Sequence, residues 1–312
     1  MKWLLIIAIL FSAVLTRAQQ VAQYSQYMFN QFSINPALAG SKNCIDVRLG
    51  YRKQWVGIDG APTTAWTSVH GVFKNKSKPY QKSKHGFGAL IETDDTGPLG
   101  YTMFNIAYAY HMQLNRKYMA SFGLFVGVQQ HKLDAGKVTL TNFNDPAIGN
   151  GGSVFIVPEV WPGVLFYNDN TFFGFSIRQV LGNKINGIGL ESRLNRQTLL
   201  NGGHRFRTKG KVAFIPSTLV KLSTGAPMAI DLNLMVEFKQ FFGLGVSYRN
   251  SDAIVLMFKA DFLKFFTLGY SYDLTTSRLR VGSSNTHEII LGINACPRED
   301  PRTKIVRCPA FE

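Results

Sequence analysis

Fourteen stretches of this 312-residue chain alternate apolar side chains with polar or small ones at a period of two. That period turns successive side chains to opposite faces of a strand, whereas a helix repeats its apolar stripe every 3.6 residues. In 229–239, Ile230, Leu232, Leu234, Val236 and Phe238 oppose Asp231, Asn233, Met235, Glu237 and Lys239. Phe242, Leu244, Val246 and Tyr248 oppose Gly243, Gly245, Ser247 and Arg249, and the pattern recurs at Phe104, Ile106, Tyr108 and Tyr110 and at Phe122, Leu124, Val126 and Val128. Strands are expected at 45–53, 63–74, 85–92, 101–112, 118–131, 154–167, 171–180, 197–207, 212–222, 227–239, 242–250, 253–262, 265–273 and 286–295.

The connections alternate too. They are tight after most even-numbered strands, as at Asn168-Asp169-Asn170 and Gln240-Phe241, and longer around 54–62, 93–100, 132–153, 181–196 and 274–285. Short turns on one side and long loops on the other are the layout of an outer-membrane barrel, and an even strand count lets a meander close on itself. A soluble sandwich would alternate as well. Two features favour the membrane. Many strands reach the ~9–11 residues that cross a bilayer at a tilt. The polar face mixes Gly and Ser with Asp, Glu, Lys and Arg, which suits a lumen better than a packed core. Aromatics near strand ends (Tyr101, Tyr110, Tyr118, Trp161, Tyr167, Phe172) are placed as interfacial girdles would be. The fold expected is all-β, a single transmembrane antiparallel barrel of about 14 strands.

The chain opens MKWLLIIAILFSAVLTRAQQ, a positive start, an apolar core and a small-residue cleavage site before Gln19: the pattern of a secretory signal peptide. Loss of Lys2 and Arg17 lowers the formal charge of +15 by two and leaves the protein basic. An exported basic chain meets lipid headgroups, lipopolysaccharide or proteins, not nucleic acid. Three cysteines are too few for a disulfide scaffold. Cys296 and Cys308 lie close together past the last strand, and a bridge between them with Cys44 free is the expectation.

No nucleophile elbow, zincin helix, Walker loop or dinucleotide fingerprint is present. The six histidines lack metal-ligand spacing, so no metal, cofactor or catalytic residue is assigned and the chain is not read as an enzyme. Inward Asp231, Glu237, Lys239, Arg249, Lys259 and Asp261 are expected to form a lumenal ion-pair network.

"YSQYMFNQFSINPALAGS" (24–41), followed by "YRKQWVGIDGAPTT" (51–64), resembles the signature of the PorP/SprF family, outer-membrane proteins of the type IX secretion system of gliding and related bacteria. The resemblance continues weakly to "HEIILGI" (287–293) and covers nearly the whole mature chain. It implies a non-enzymatic barrel that secretes or anchors a surface protein with a C-terminal sorting domain, such as a gliding adhesin. The other role it implies is a link from the machinery to a peptidoglycan-bound periplasmic partner. A passive or fatty-acid-type transport barrel is the alternative.

The organisation expected is a signal peptide (1–18), a plug or motif segment (19–43), the barrel (44–295) and a periplasmic tail (296–312), with both termini periplasmic. Within 24–41, residues 25–32 are expected to form a short helix that ends near Asn35, because a residue before Pro avoids the α region. Tyr24, Tyr27 and Phe29 need burial and are candidates either for a plug or for a partner site. Arg52, Lys53 and Trp55 stand near the outer end of the first hairpin. Trp and Arg are typical interface anchors, and a rim aromatic would occupy the same place.

Overall fold

In the computed structural model each alternating stretch is a strand, and the strands close into one ring. The structure describes residues 22–42, 44–73, 83–138, 153–185, 193–208, 212–238, 241–250, 252–263 and 265–294. The leader, the tail from Cys296 and Lys239 lie outside them. The strands are β1 (Asp46–Lys53), β2 (Thr63–Phe73), β3 (Ser83–Thr96), β4 (Leu99–Gln113), β5 (Met119–Leu133), β6 (Ser153–Tyr167), β7 (Thr171–Arg178), β8 (Gln197–His204), β9 (Phe206–Arg207), β10 (Val212–Ser223), β11 (Ala229–Phe238), β12 (Phe242–Arg249), β13 (Ala253–Phe262), β14 (Phe266–Thr275) and β15 (Thr286–Asn294). Each pairs antiparallel with its neighbour, and β15 returns to β1, so that Asp46 faces Asn294 and Lys53 faces His287. β8 and β9 hold one register against β10, with Gly203 opposite Ser217 and Arg207 opposite Ala213. They are one strand interrupted at Arg205, which makes the closed barrel fourteen-stranded.

Closure pairs the backbone of the wall around the ring, as a hydrocarbon environment demands. The alternation then sorts side chains. On β4, Phe104, Ile106 and Tyr108 are exposed on the outer wall, while Met103, Asn105 and Ala107 are buried inside. On β11, Leu232 and Leu234 face out and Asp231, Asn233, Met235 and Glu237 face in. Among the described residues no helix is long and apolar enough to cross a membrane, and the apolar side chains lie on the outward faces of the strands.

The loop expected at 93–100 shrinks to the Gly97-Pro98 turn, because Thr93 to Thr96 keep pairing with Leu99 to Thr102. These polar residues stand above the apolar band, where backbone pairing needs no apolar face. The near end of the barrel is defined here by Asp46 and Asn294, and the far end by Lys53 and Thr286.

Residues 24–42 fill the lumen from one end to the other. Tyr24 and Ser25 sit at the far end beside Arg52, Asp273 and Glu288. Tyr27 reaches mid-barrel, where its hydroxyl meets Ser217 and Asn233. Ala37 to Ser41 contact Ser121, His111 and Lys84 at the near end. Two glycines on the wall permit this approach: a Cβ at Gly86 or Gly123 would collide with the backbone of Ala39 or Ala37.

The segment is a chain of three short 3₁₀ turns, Tyr27–Phe29, Gln31–Ser33 and Pro36–Leu38, not the expected helix at 25–32. Asn30 leaves the helical region at φ −139° and its side chain accepts from Ser68. Asn35 instead starts a turn with Pro36 behind it, and its amide donates to the Val164 carbonyl at 2.9 Å. Wall contacts interrupt the helix at both asparagines.

Both termini, expected on the near side, lie outside the described residues. Strand parity fixes only Asp46 and Asn294. The preceding twenty residues are long enough to traverse the lumen, and Ala22 lies at the far end, its amide bonded to the Tyr101 hydroxyl at 3.2 Å.

Cys44 is disulfide-bonded, so the expectation of a free Cys44 is incorrect, and the Cys296–Cys308 pair lies outside the described residues. The β1–β15 register places Asp46 opposite Asn294. A continuation of that pairing by two positions would bring 296 opposite 44. Non-reducing peptide mapping is expected to recover Cys44 joined to Cys296, with Cys308 as the free thiol; recovery of a Cys296–Cys308 peptide would contradict that register.

Candidate functional site: the plugged lumen and its far rim

Arg52 shares strand parity with Asp46, Arg48 and Gly50 and opposes Leu49 and Tyr51, so its side chain enters the lumen. It is 1% exposed, and its Nη1 lies 3.1 Å from Asp273 Oδ2 on β14 and 3.3 Å from Glu288 Oε2 on β15. The same nitrogen donates to the Ser25 hydroxyl, which donates to Asp273 at 2.5 Å. Glu288 accepts the backbone N–H groups of Ser25 (2.8 Å) and Gln26 (2.9 Å). One guanidinium and two carboxylates thus tie β1, β14, β15 and the plug together. Arg249 extends the network to Asp231 at 3.0 Å, Asp252 at 3.1 Å and the Tyr24 carbonyl at 3.3 Å.

Two further groups line the wall. Lys259 and Arg205 flank Glu237 at 3.2 and 2.7 Å. Across the lumen, Arg178 meets Glu92 at 2.6 Å and lies over the Trp161 ring, and the Tyr101 hydroxyl donates to Glu92 at 2.6 Å. The inward network expected at Asp231, Glu237, Arg249, Lys259 and Asp261 is present among these groups. Its strongest nodes, Arg52, Asp273, Glu288, Glu92 and Arg178, were not singled out as inward. Their parity within each strand was the signal available.

The candidate residues separate. Tyr24 packs edge-on against Trp66 with ring centroids 4.9 Å apart, Tyr27 is fully buried, and Phe29 lies under the Lys259 ammonium. All three are occupied by the wall, as is Arg52. Lys53 is exposed beside the far mouth. Trp55 is half-buried and takes φ +42°, a region that costs a non-glycine residue ~1–3 kcal/mol unless its surroundings hold it.

The hold is visible. Trp55 N donates to Thr286 Oγ1 at 3.1 Å, Val56 N to the Asn285 carbonyl at 2.9 Å, and Ser284 N to the Val56 carbonyl at 2.6 Å. Gly97 N donates to the Gly60 carbonyl at 2.8 Å, and Asp134 N to the Pro98 carbonyl at 2.8 Å. The rim loops are fastened to one another, so the first hairpin presents a fixed surface. Among the described residues no group of three or more His, Cys, Asp or Glu is placed to hold a metal.

A family model described as "Type IX secretion system membrane protein PorP/SprF" matches residues 16–293. No curated protein sequence matches the chain. Among solved structures, the chain is similar to the toluene transporter TbuX of Ralstonia pickettii, with 10% identity, a TM-score of 0.51, and coverage of 86% of this chain and 92% of that one. A FadL homologue of Pseudomonas aeruginosa matches at 10% identity over 86% and 92%, with a TM-score of 0.45. At this identity TbuX shares the barrel fold and nothing finer.

Removing one partner of a buried ion pair leaves an uncompensated charge and costs about 3–5 kcal/mol. Arg52→Ala is therefore expected to lower the temperature at which the folded band is lost on unboiled gels, more than Lys53→Ala does. Equal behaviour of the two variants would contradict the placement of Arg52.

Proposed function

Because the chain belongs to the PorP/SprF family of type IX secretion system membrane proteins, we propose that it is a non-enzymatic outer-membrane barrel that holds a secreted surface protein. Its cargo is of the class that carries a C-terminal sorting domain, such as an adhesin. The observation that carries this reading is the filled lumen. Residues 24–42 are buried throughout and bound at both ends and in the middle, so a solute path would require breaking a desolvated network. A barrel closed by its own chain works through its outer surfaces.

Several connections at the far end are long, the 54–62 and 276–285 loops among them, although the 97–98 and 250–252 connections there are tight and the 74–82 connection lies at the near end. Long loops face the cell surface in such barrels, and on this reading the fastened rim is the end that meets exported cargo. Lys53 is exposed there, and Val281 is 94% exposed at the tip of the 276–285 loop. A rim already held in shape loses little conformational entropy on binding. The near end would face the periplasm, where a peptidoglycan-linked partner could meet the same barrel. The fold shared with TbuX supports a transport reading at the level of architecture.

Truncation of an interface anchor costs about 2 kcal/mol, roughly thirtyfold in affinity. Lys53→Glu combined with Val281→Asp is expected to reduce cargo held at the surface of intact cells, with barrel abundance and heat-modifiability unchanged. Trp55→Ala is expected to do the same through loss of the loop shape. Unchanged cargo on fully assembled variant barrels would remove the far rim from the account.

A further inference from the structure

At the far end β6 has an open edge. β5 pairs with it along its whole length, from Ser153 to Tyr167, but β7 pairs only with Gly163 to Tyr167. β7 ends at Arg178, and Gln179 turns the chain away at φ +57°. Val180 N still reaches the Val160 carbonyl at 3.4 Å, and the Asn183 side-chain amide donates to the Pro158 carbonyl at 2.7 Å. Beyond Pro158, no strand among the described residues covers the β7 side of β6.

Strand geometry says which residues face the gap. Successive residues send their N–H and C=O groups to opposite neighbours, so the Val160 contact puts Val154, Ile156, Pro158 and Pro162 on the open side with it. Two of these are prolines, which lack the N–H that such an edge leaves unpaired. They stand opposite Val128 and Leu124, within the apolar band. Higher up, opposite Lys132 and Gln130, Val154 and Ile156 keep their N–H groups. Their outward side chains are 59% and 65% exposed, apolar at a height where β5 has turned polar. On the inner face the rings of Tyr101, His131 and Phe155 cross β4, β5 and β6 with centroids 6.0 and 5.0 Å apart. That row ends at Phe155, beside the gap.

We propose that this edge, residues 153–157, is a strand-addition site for an extended segment of the exported cargo, an inference that rests on the surface-holding role proposed above. The N–H and C=O groups of Val154 and Ile156 pair with the incoming backbone, which supplies affinity, while alternate side chains supply selectivity. One face of the segment is β-branched or aromatic and covers Val154 and Ile156. The other brings a ring or branched side chain against Phe155 and continues the row. Prolines remove donors from the edge where lipid lies beside it, and the edge keeps them where a partner can arrive. An apolar edge left bare invites aggregation, and bound cargo removes that hazard.

The test uses the full-length barrel in intact cells. Ile156→Pro deletes one edge N–H and spares the pairing with β5, as Pro158 and Pro162 already do. It is expected to reduce surface-held cargo about tenfold, with barrel abundance and heat-modifiability unchanged. Benzoylphenylalanine in place of Val154 or Ile156, irradiated on cells, is expected to mark one cargo peptide at positions two residues apart, the signature of a paired strand. Cells lacking the barrel separate the two readings. If they lose cargo while assembled Ile156→Pro barrels keep it, the edge site alone is overturned. If they keep cargo, the anchoring role is overturned and the site with it. Should Ile156→Pro fail to assemble, the photoadducts decide: none, or adducts confined to this chain or a second copy of it, overturn the proposal.

Discussion

One guanidinium, that of Arg52, stands between two carboxylates at the seam where the first and last strands meet. Burying three charges is expensive, and their attraction offsets the cost only if every remaining donor and acceptor is occupied. The plug completes that occupancy: Ser25 and Gln26 bring a hydroxyl and two backbone N–H groups to Asp273 and Glu288. Removal of the plug would leave Glu288 without three of its partners. Barrel closure and plug seating are therefore one event, and neither element is expected to persist without the other.

The same logic explains the lumen. A fourteen-stranded ring encloses more space than its inward side chains fill, and here the remainder is taken by backbone. Enclosed backbone must find partners. The 3₁₀ turns satisfy part of the demand, Ser121, Ser176 and His111 reach plug carbonyls from the wall, and Asn35 in turn donates to the wall carbonyl of Val164. Small residues on the wall set how close the plug can come, and ion pairs set where it stops. The outer surface is dominated instead by apolar side chains.

The strands were legible because a wall with oil on one side and a packed polar lumen on the other writes its period directly into the sequence. Boundaries at β13 and β5 fall within two residues of expectation, and inward Asp231 and Glu237 were readable from parity alone. Arg52 was misplaced for want of the same parity argument: proximity to a hairpin suggested surface, whereas alternation with Leu49 and Tyr51 puts it inside. The course of the plug was not legible. Its residues have no period, and its direction depends on pairings, such as Ser25 with Glu288, that lie 263 positions apart.

Membership in a secretion-system family and likeness in fold to a hydrocarbon transporter point to different uses of a barrel. The lumen filled by residues 24–42 is what favours the scaffold use proposed above. The direct measurement is ion conductance of the purified full-length protein in planar bilayers. The account predicts bilayers that stay silent although insertion is confirmed by protection from protease. Steady channel openings from correctly folded wild-type barrel would contradict it.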